Sequence, residues 1–417
     1  MQAIGRDATV LFESYHLRDN VAQQYLTRLP ELDRMPEGMS DSADGTLLPY
    51  PLDSPVFVEI KRRVRAEVLA RVPAAPGKGG QRGGPGIGLG IAFTLVGWLG
   101  SWSIMLWAAR LGWWPLSFAA CAVLSLFTCH VALTLSHGGM HGNLVDHGRW
   151  NELLGLCHDI IGGCSLVWTY HHHVSHHMHT NDPDYDQDIF LAWPTFRFDY
   201  RLPQYWFHRF QHLYSFVLFA FLSVSIQYSD YVSLFTGSTG RVKFHGASSW
   251  EFTRSFLLKA ANLFMLLGIP LLVSPAGSLV KVLILWSIYN GVLSFCLSWL
   301  FAVSHNIGDT KTLSEESVES WLEVQVRHSA NWGGRLGNFL TGGLNYQIEH
   351  HLFPGMSYAH LPDAAVIVEE ECLKAGIPYV KYPTLLSICV ALYKFMRDCG
   401  QNRDSPAASV PLSKKKD

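Results

Sequence analysis

The sequence predicts an all-α integral membrane helical bundle, about four spans in two hairpins, with a histidine-rich cap on the cytosolic side. Three observations carry that expectation. Apolar residues make up 48% of the 417-residue chain and charged residues only 16%, well below the roughly 25% of soluble domains. The apolar residues gather in runs that approach or exceed the ~20 residues a bilayer crossing needs. Of twenty histidines, six fall within the nine residues His171–His179. Aromatic residues reach 13%, which suits a chain anchored at lipid headgroups. The net charge of −2 offers no basic field, so nucleic acid is not an expected partner. Eight cysteines without a C-x-x-C pair indicate neither a disulfide framework nor a thiolate metal site.

In chain order, the first eighty-odd residues are polar and do not read as a secretory signal. Lys61, Arg62, Arg63 and Arg65 precede the first run, which places the N-terminus in the cytosol. The segment from Pro73 to Gly86 reads as a flexible linker. Ile87–Ala109 is 23 residues without a charge, and Trp113–Ser136 is 24 residues interrupted only by His130. The short link at Arg110 makes them a hairpin. Leu213–Ser229 (17 residues), Ala260–Val280 (21) and Val282–Val303 (22) follow. If the histidine clusters share one side of the membrane, the chain crosses an even number of times between His179 and His305. One of these three runs therefore does not span. The sequence does not choose between Leu213–Ser229 and Ala260–Val280, the latter carrying Pro270 and Pro275. The stretch from Gly142 to Tyr170 begins and ends on the histidine side, so it is expected along the interface with Trp168 at headgroup level.

Three histidine clusters stand at the edges of these runs: His137-Gly-Gly-Met-His141, His171–His179, and Gln347-Ile-Glu-His350-His351, with His305 just past the last run. Residues i and i+4 share a helix face, so His137 with His141, and His172 with His176, can each hold one metal. His177 lies about 100° around the helix from His176 and can reach a second. Eight or nine imidazoles are too many for one ion and suit two. Neutral imidazole suits Fe, Zn, Cu and Ni; a structural zinc site needs four ligands and usually recruits Cys, and the H-E-x-x-H of zinc proteases is missing. His16, His130, His147, His158, His208, His212, His245, His328 and His360 read as ordinary histidines, His130 facing the bundle interior with a hydrogen-bond partner.

The order H-x3-H, H-x3-H-H, Q-x-x-H-H, with hydrophobic hairpins between, resembles the membrane fatty-acid desaturases. The string Asn345-Tyr-Gln-Ile-Glu-His-His351 is similar to the front-end subgroup, as are Trp168-Thr-Tyr-His-His-His-Val-Ser-His-His177 and Phe301-Ala-Val-Ser-His-Asn306. The resemblance covers about residues 50–400. It implies two iron ions held by His137, His141, His172, His176, His177, His305, His350 and His351. Gln347, His173 and Asn306 would be further ligands or supports. It implies O2 as co-substrate, electrons from NADH through a separate cytochrome b5 and its reductase, and a fatty acyl lipid or acyl-CoA substrate. The double bond would enter on the carboxyl side of existing ones, and the second cluster looks most like that of Δ5 enzymes on twenty-carbon chains. One departure is Gly138, where the subgroup's first cluster usually has Asp.

Gly5-Arg-Asp-Ala-Thr9 and Phe12-Glu-Ser-Tyr-His16 resemble the back half of a cytochrome b5 domain, which front-end desaturases carry fused at this end. His16 would be an orphan haem-ligand position. The expected division is a truncated cytochrome b5-like remnant (1–50), a polar segment and linker (51–86), the membrane domain (87–400) and a cytosolic tail (401–417). The ending Lys414-Lys-Lys-Asp417 looks like an endoplasmic reticulum retrieval signal, giving a multi-pass protein there with both termini cytosolic. One rival is a fatty acyl or sphingoid-base hydroxylase on the same scaffold. The other is a divalent-metal transporter, which would place ionisable residues within its spans; the first, second and last runs hold no Asp, Glu, Lys or Arg.

Overall fold

The computed structural model describes residues 9–17, 27–28, 54–71, 81–182, 184–240, 242–311 and 320–403. The chain is an all-α membrane bundle, with five helices long and apolar enough to cross a bilayer among the described residues. Among the described residues, two short N-terminal α-helices, α1 (Thr9–Tyr15) and α2 (Pro55–Arg63), precede them. The first hairpin is α3 (Ile87–Arg110) and α4 (Trp114–Met140). Its helices are joined by polar contacts inside an apolar interface: Trp98 Nε1 donates to Thr128 Oγ1 at 3.0 Å, and Thr94 Oγ1 meets His130 Nδ1 at 2.8 Å. His130 also reaches the Phe339 carbonyl at 3.2 Å, so this mid-span imidazole is satisfied on both nitrogens.

Three apolar helices follow: α7 (Trp206–Thr236), α8 (Ser249–Val273) and α9 (Leu279–Val303). Helix α9 lies beside α4 and runs the same way. At one end the Lys281 ammonium stands 5.1 Å from the Trp114 ring, next along Cys121 Sγ reaches the Leu285 carbonyl at 3.2 Å, and at the other end both helices lead to the clustered histidines. The Leu279 end is thus the end remote from the histidines, and the turn at Pro275–Gly277 joins α8 to it there. Both flanks of α7, in contrast, are fastened to the histidine-bearing side. Before it, Arg201 donates to the Asn181 carbonyl at 3.3 Å. After it, Phe244 packs on Tyr170 with ring centroids 4.8 Å apart, and the Tyr170 hydroxyl donates to the His245 carbonyl at 2.6 Å. The hairpin α8–α9 is therefore the pair that leaves the histidine side and returns to it.

The stretch after the first hairpin corrects the expectation of a segment lying along the interface. Helices α5 (Gly148–Ile160) and α6 (Ser165–His176) are bent by 111° about residues 161–164. The bend is wedged between α8 and α9: Asn262 Nδ2 donates to the Ile160 carbonyl at 2.8 Å, Lys259 to Gly162 at 3.2 Å, and Tyr289 to Ile161 at 3.5 Å. These groups satisfy backbone that a sharp turn at this depth would otherwise leave unpaired. Lys259 is itself neutralised by Asp230 at 2.8 Å.

The cap over the histidine end is built from α10 (Trp321–Arg327), α11 (Gln347–Leu352), α12 (Leu361–Lys374) and α13 (Leu385–Gly400). A two-residue parallel pair, Asn331–Trp332 with Lys381–Tyr382, ties the segment before α11 to the one before α13. Its core joins Trp321, Ile348, Leu352 and Phe353 to Phe57, Ile60, Val10, Leu11 and Leu17 from the N-terminal segment.

Candidate metal centre

Four elements deliver histidines to one buried cluster. The end of α4 carries His137 and His141, α6 carries His172 and His176 with His177 following, the segment after α9 carries His305, and α11 carries His350 and His351. Two groups form, each with ligand atoms within 4.8 Å of one another: His137, His141, His172 and His350, and separately His176, His305 and His351. A third grouping of the same kind is His172, His176 and Asp188. His177 stands between the first two. Its Nε2 is 3.1 Å from that of His172, and its ring lies 4.4 Å from His351 and 4.8 Å from His350.

The expected pairing of His172 with His176 on one α-helical face thus recurs only together with Asp188. The reason is local. Residues Thr169–His176 form a π-helical turn, in which the His177 amide donates to the His172 carbonyl, five residues back, at 2.9 Å. The wider turn changes which side chains share a face, and such turns frequently mark functional sites. The first cluster sits close to α5, because Gly139 lets the two backbones touch. A Cβ on Gly139 would lie 2.5 Å from the Gly155 nitrogen. At Gly138 the neighbouring space belongs to Asn143, whose amide donates to the Pro354 carbonyl at 2.8 Å; it ties the first cluster to the third without the Asp usual in the subgroup.

The donor chemistry fits metal. Nε2 of His137, His141 and His350 is buried and meets no hydrogen-bond partner among the described residues, an arrangement that is costly unless something occupies it. In the second group the other ring nitrogen is held. His305 Nδ1 meets the His328 carbonyl at 2.9 Å, His351 Nδ1 meets Gln325 Oε1 at 2.8 Å, and His176 Nδ1 meets Asp186 at 3.0 Å. A hydrogen on Nδ1 leaves Nε2 as the lone pair, the tautomer a metal needs. Gln347 points into this group, with Nε2 2.9 Å from His305 Nε2 and 3.1 Å from His351 Nε2. Asn306 is buried, and its Oδ1 has no partner among the described residues.

Electrostatics agree with the geometry. Burial, reinforced by the surrounding imidazoles, holds His141, His177, His350 and His351 well below the ordinary histidine range. Burial lowers His305 to about 3. His176 is the exception: burial alone would lower it, but the Asp186 and Asp188 carboxylates outweigh that and raise it to about 9. A metal taking His176 displaces its proton.

His173 is buried with its ring 4.4 Å from His141, at the edge of the first group. Trp168, expected among headgroups, instead stacks on His172 at 4.2 Å, since α6 climbs back under the cluster. His16 is exposed, and among the described residues its Nδ1 bonds its own helix, at the Phe12 carbonyl, 2.8 Å away. Sequence reasoning missed the supporting residues Asp186, Asp188, Gln325 and Tyr15. The one trace of them was the acidic run Asp182-Pro-Asp-Tyr-Asp-Gln-Asp188 straight after the second cluster. The lysine-ending tail lies outside the described residues.

Comparison with known proteins places the sequence in a family. The fatty acid desaturase profile matches residues 111–383. An acyl-lipid (7-3)-desaturase, chloroplastic, of Chlamydomonas reinhardtii is 41% identical over 97% of this chain and 76% of its own length. An acyl-lipid (8-3)-desaturase of Physcomitrium patens is 28% identical over 95% of this chain and 82% of its own. A probable Delta(5) fatty acid desaturase C of Dictyostelium discoideum is 26% identical over 98% of this chain and 88% of its own. The chain belongs to the fatty acid desaturase family and is an oxidoreductase.

Proposed function

We propose that this chain is a front-end acyl-lipid desaturase, with a di-iron centre held by His137, His141, His172 and His350 in one position and His176, His305 and His351 in the other. His177 would stand between them, and Gln347 would support the second. The observation that carries the reading is the convergence of partnerless, buried Nε2 atoms beside imidazoles whose Nδ1 atoms are already engaged. Two irons bound there would supply O2-dependent removal of one hydrogen from each of two adjacent methylenes, with two electrons and two protons from a carrier completing the reduction of O2 to water. The chain's own residues fix the imidazole tautomers, engage His176 Nδ1 through Asp186, and keep the rings of His137, His141, His176, His350 and His351 buried away from bulk water. On this reading residues 87–400 are the catalytic domain, and electrons come from NADH through a separate cytochrome b5.

For the bond position two readings stand. The second histidine cluster looks most like that of Δ5 enzymes, whereas the relative sharing 41% identity is named a (7-3)-desaturase. Residence in the endoplasmic reticulum rests on the lysine-ending tail. That relative is named chloroplastic, and imaging of a tagged chain in its own cells separates the two locations. Expression in a host fed several polyunsaturated acids, with mass spectrometry of the lipids, tests the function. A product lighter by two hydrogens, its new double bond nearer the carboxyl end, is expected. His305→Ala and His350→Ala should accumulate in membranes yet be inactive, whereas His245→Ala should stay active. A product heavier by one oxygen, or activity in His350→Ala, overturns the reading.

A further inference from the structure

We propose that Tyr15 is a positioning residue for the first metal position, and that α1 is a fixed wall of the centre. The inference rests on the metal reading above. The Tyr15 hydroxyl lies 2.6 Å from His141 Nδ1. Its ring stacks on His141 at 5.9 Å and meets His173 edge-on at 5.8 Å. This repeats what Asp186, Gln325 and the His328 carbonyl do for the other group. With the Nδ1 hydrogen donated to the phenol oxygen, His141 presents its buried, partnerless Nε2 as a lone pair. Outer partners of this kind orient the ring and raise its basicity.

The contact is not a chance touch of a loose end. Val10, Leu11 and Leu17 are buried in the cap's core. The Tyr15 carbonyl accepts from Gln81 Nε2 at 2.9 Å, and the same amide reaches the Gly355 carbonyl at 3.3 Å. Glu13 pairs with Lys61 at 3.3 Å. At Gly355 a Cβ would stand 2.8 Å from the Tyr15 carbonyl, so the loop after the third cluster closes directly over this backbone. The segment that resembles the end of a cytochrome b5 domain therefore has a place in the desaturase core. Its His16 faces outward while the preceding Tyr faces the metal centre.

The test uses the full chain in lipid nanodiscs, with Co(II) as the probe. Wild type is expected to bind two Co(II). In Tyr15→Phe, which keeps the ring and removes the hydroxyl, one of the two positions should lose about 10–100-fold in affinity. That position's visible absorption bands should shift while the other's stay unchanged. His16→Ala should match wild type. Equal affinity and equal spectra for Tyr15→Phe and wild type would overturn the assignment while leaving the metal reading intact. So would a loss spread evenly over both positions, which a general loosening of the fold would give. A wild-type chain that takes up no Co(II) would instead sink the metal reading itself.

Discussion

Burying so many imidazoles has a consequence at the level of single residues. An unfolded histidine titrates near 6.5. His141, His177, His350 and His351 are held well below that by burial, and His305 is held at about 3. Below pH 6.5 the unfolded chain therefore binds protons that the folded, metal-free chain refuses. Each such imidazole then removes about 1.4 kcal/mol of stability per pH unit as the pH falls. His176, raised to about 9, has the opposite sign: its contribution is full below pH 6.5 and fades as the pH rises through 9. Between pH 6.5 and 4.5 the His176 contribution is constant, and these five imidazoles outnumber the opposing Glu349 carboxyl, which burial raises to about 7, so the chelator-treated chain should melt at steadily lower temperature over that range. A flat melting temperature over that range, by thermal scanning in detergent, would contradict the burial of these rings as neutral species. The histidines were legible in the sequence because clustering and spacing are written along the chain. Their partners were not. Tyr15 and Gln325 meet His141 and His351 across 126 and 26 residues, and nothing in the local pattern marks a hydrogen bond made only by folding.

Single elements show where an ideal helix is a poor guide. The sequence supports reading the second cluster as an α-helical H-x3-H-H face, but the π-helical turn over Thr169–His176 reapportions its imidazoles between two groups. The bend at residues 161–164 was equally illegible, since what stabilises it is Asn262, Lys259 and Tyr289 from helices a hundred or so residues later. The contact of α4 with α5 depends on the absence of a side chain at Gly139. The three atoms nearest a Cβ there would all be backbone, among them Gly155 N at 2.5 Å and Asn151 O at 2.8 Å, and no rotamer relieves such a clash. Gly139→Ala is therefore expected to cost about 1–3 kcal/mol and, by shifting α5 from His137 and His141, to lower metal content as well. Gly100→Ala in α3, where a Cβ meets nothing within 4 Å, is the control and should be neutral or slightly stabilising, since alanine is the better helix residue. Equal melting temperatures for Gly139→Ala and Gly100→Ala would remove this account of the contact.

For the molecule as a whole, parity turns local contacts into a topology. The sequence fixes only that the chain crosses evenly between the second and third histidine clusters, leaving two runs in contention. Hydropathy cannot separate them, because an apolar helix lying at the interface and one passing through it bury similar surfaces. The contacts can. The turn at Pro275–Gly277 leads into Leu279 and Lys281, beside Trp114 at the far end of α4. The segment after α7 is held to Tyr170, next to the second histidine cluster. Helix α7 then begins and ends on the histidine side, reaching as deep as Asn290 midway along α9, and α3, α4, α8 and α9 are expected to make the four crossings. Glycosylation mapping in microsomes reads this directly, because acceptor asparagines are modified only on the lumenal face. An acceptor loop inserted at Gly277 should be glycosylated if the histidines face the cytosol, and one inserted at Ser238 should not. If the whole bundle were inverted the two results would exchange, which would overturn the cytosolic orientation but keep the four crossings. Modification at both sites, or at neither, would place residues 238 and 277 on the same side. Helix α8 would then not cross: with both on the lumenal side α7 would cross in its place and the histidine clusters could still meet on one face, whereas with both on the cytosolic side the crossing by α9 would part His305 from the other clusters.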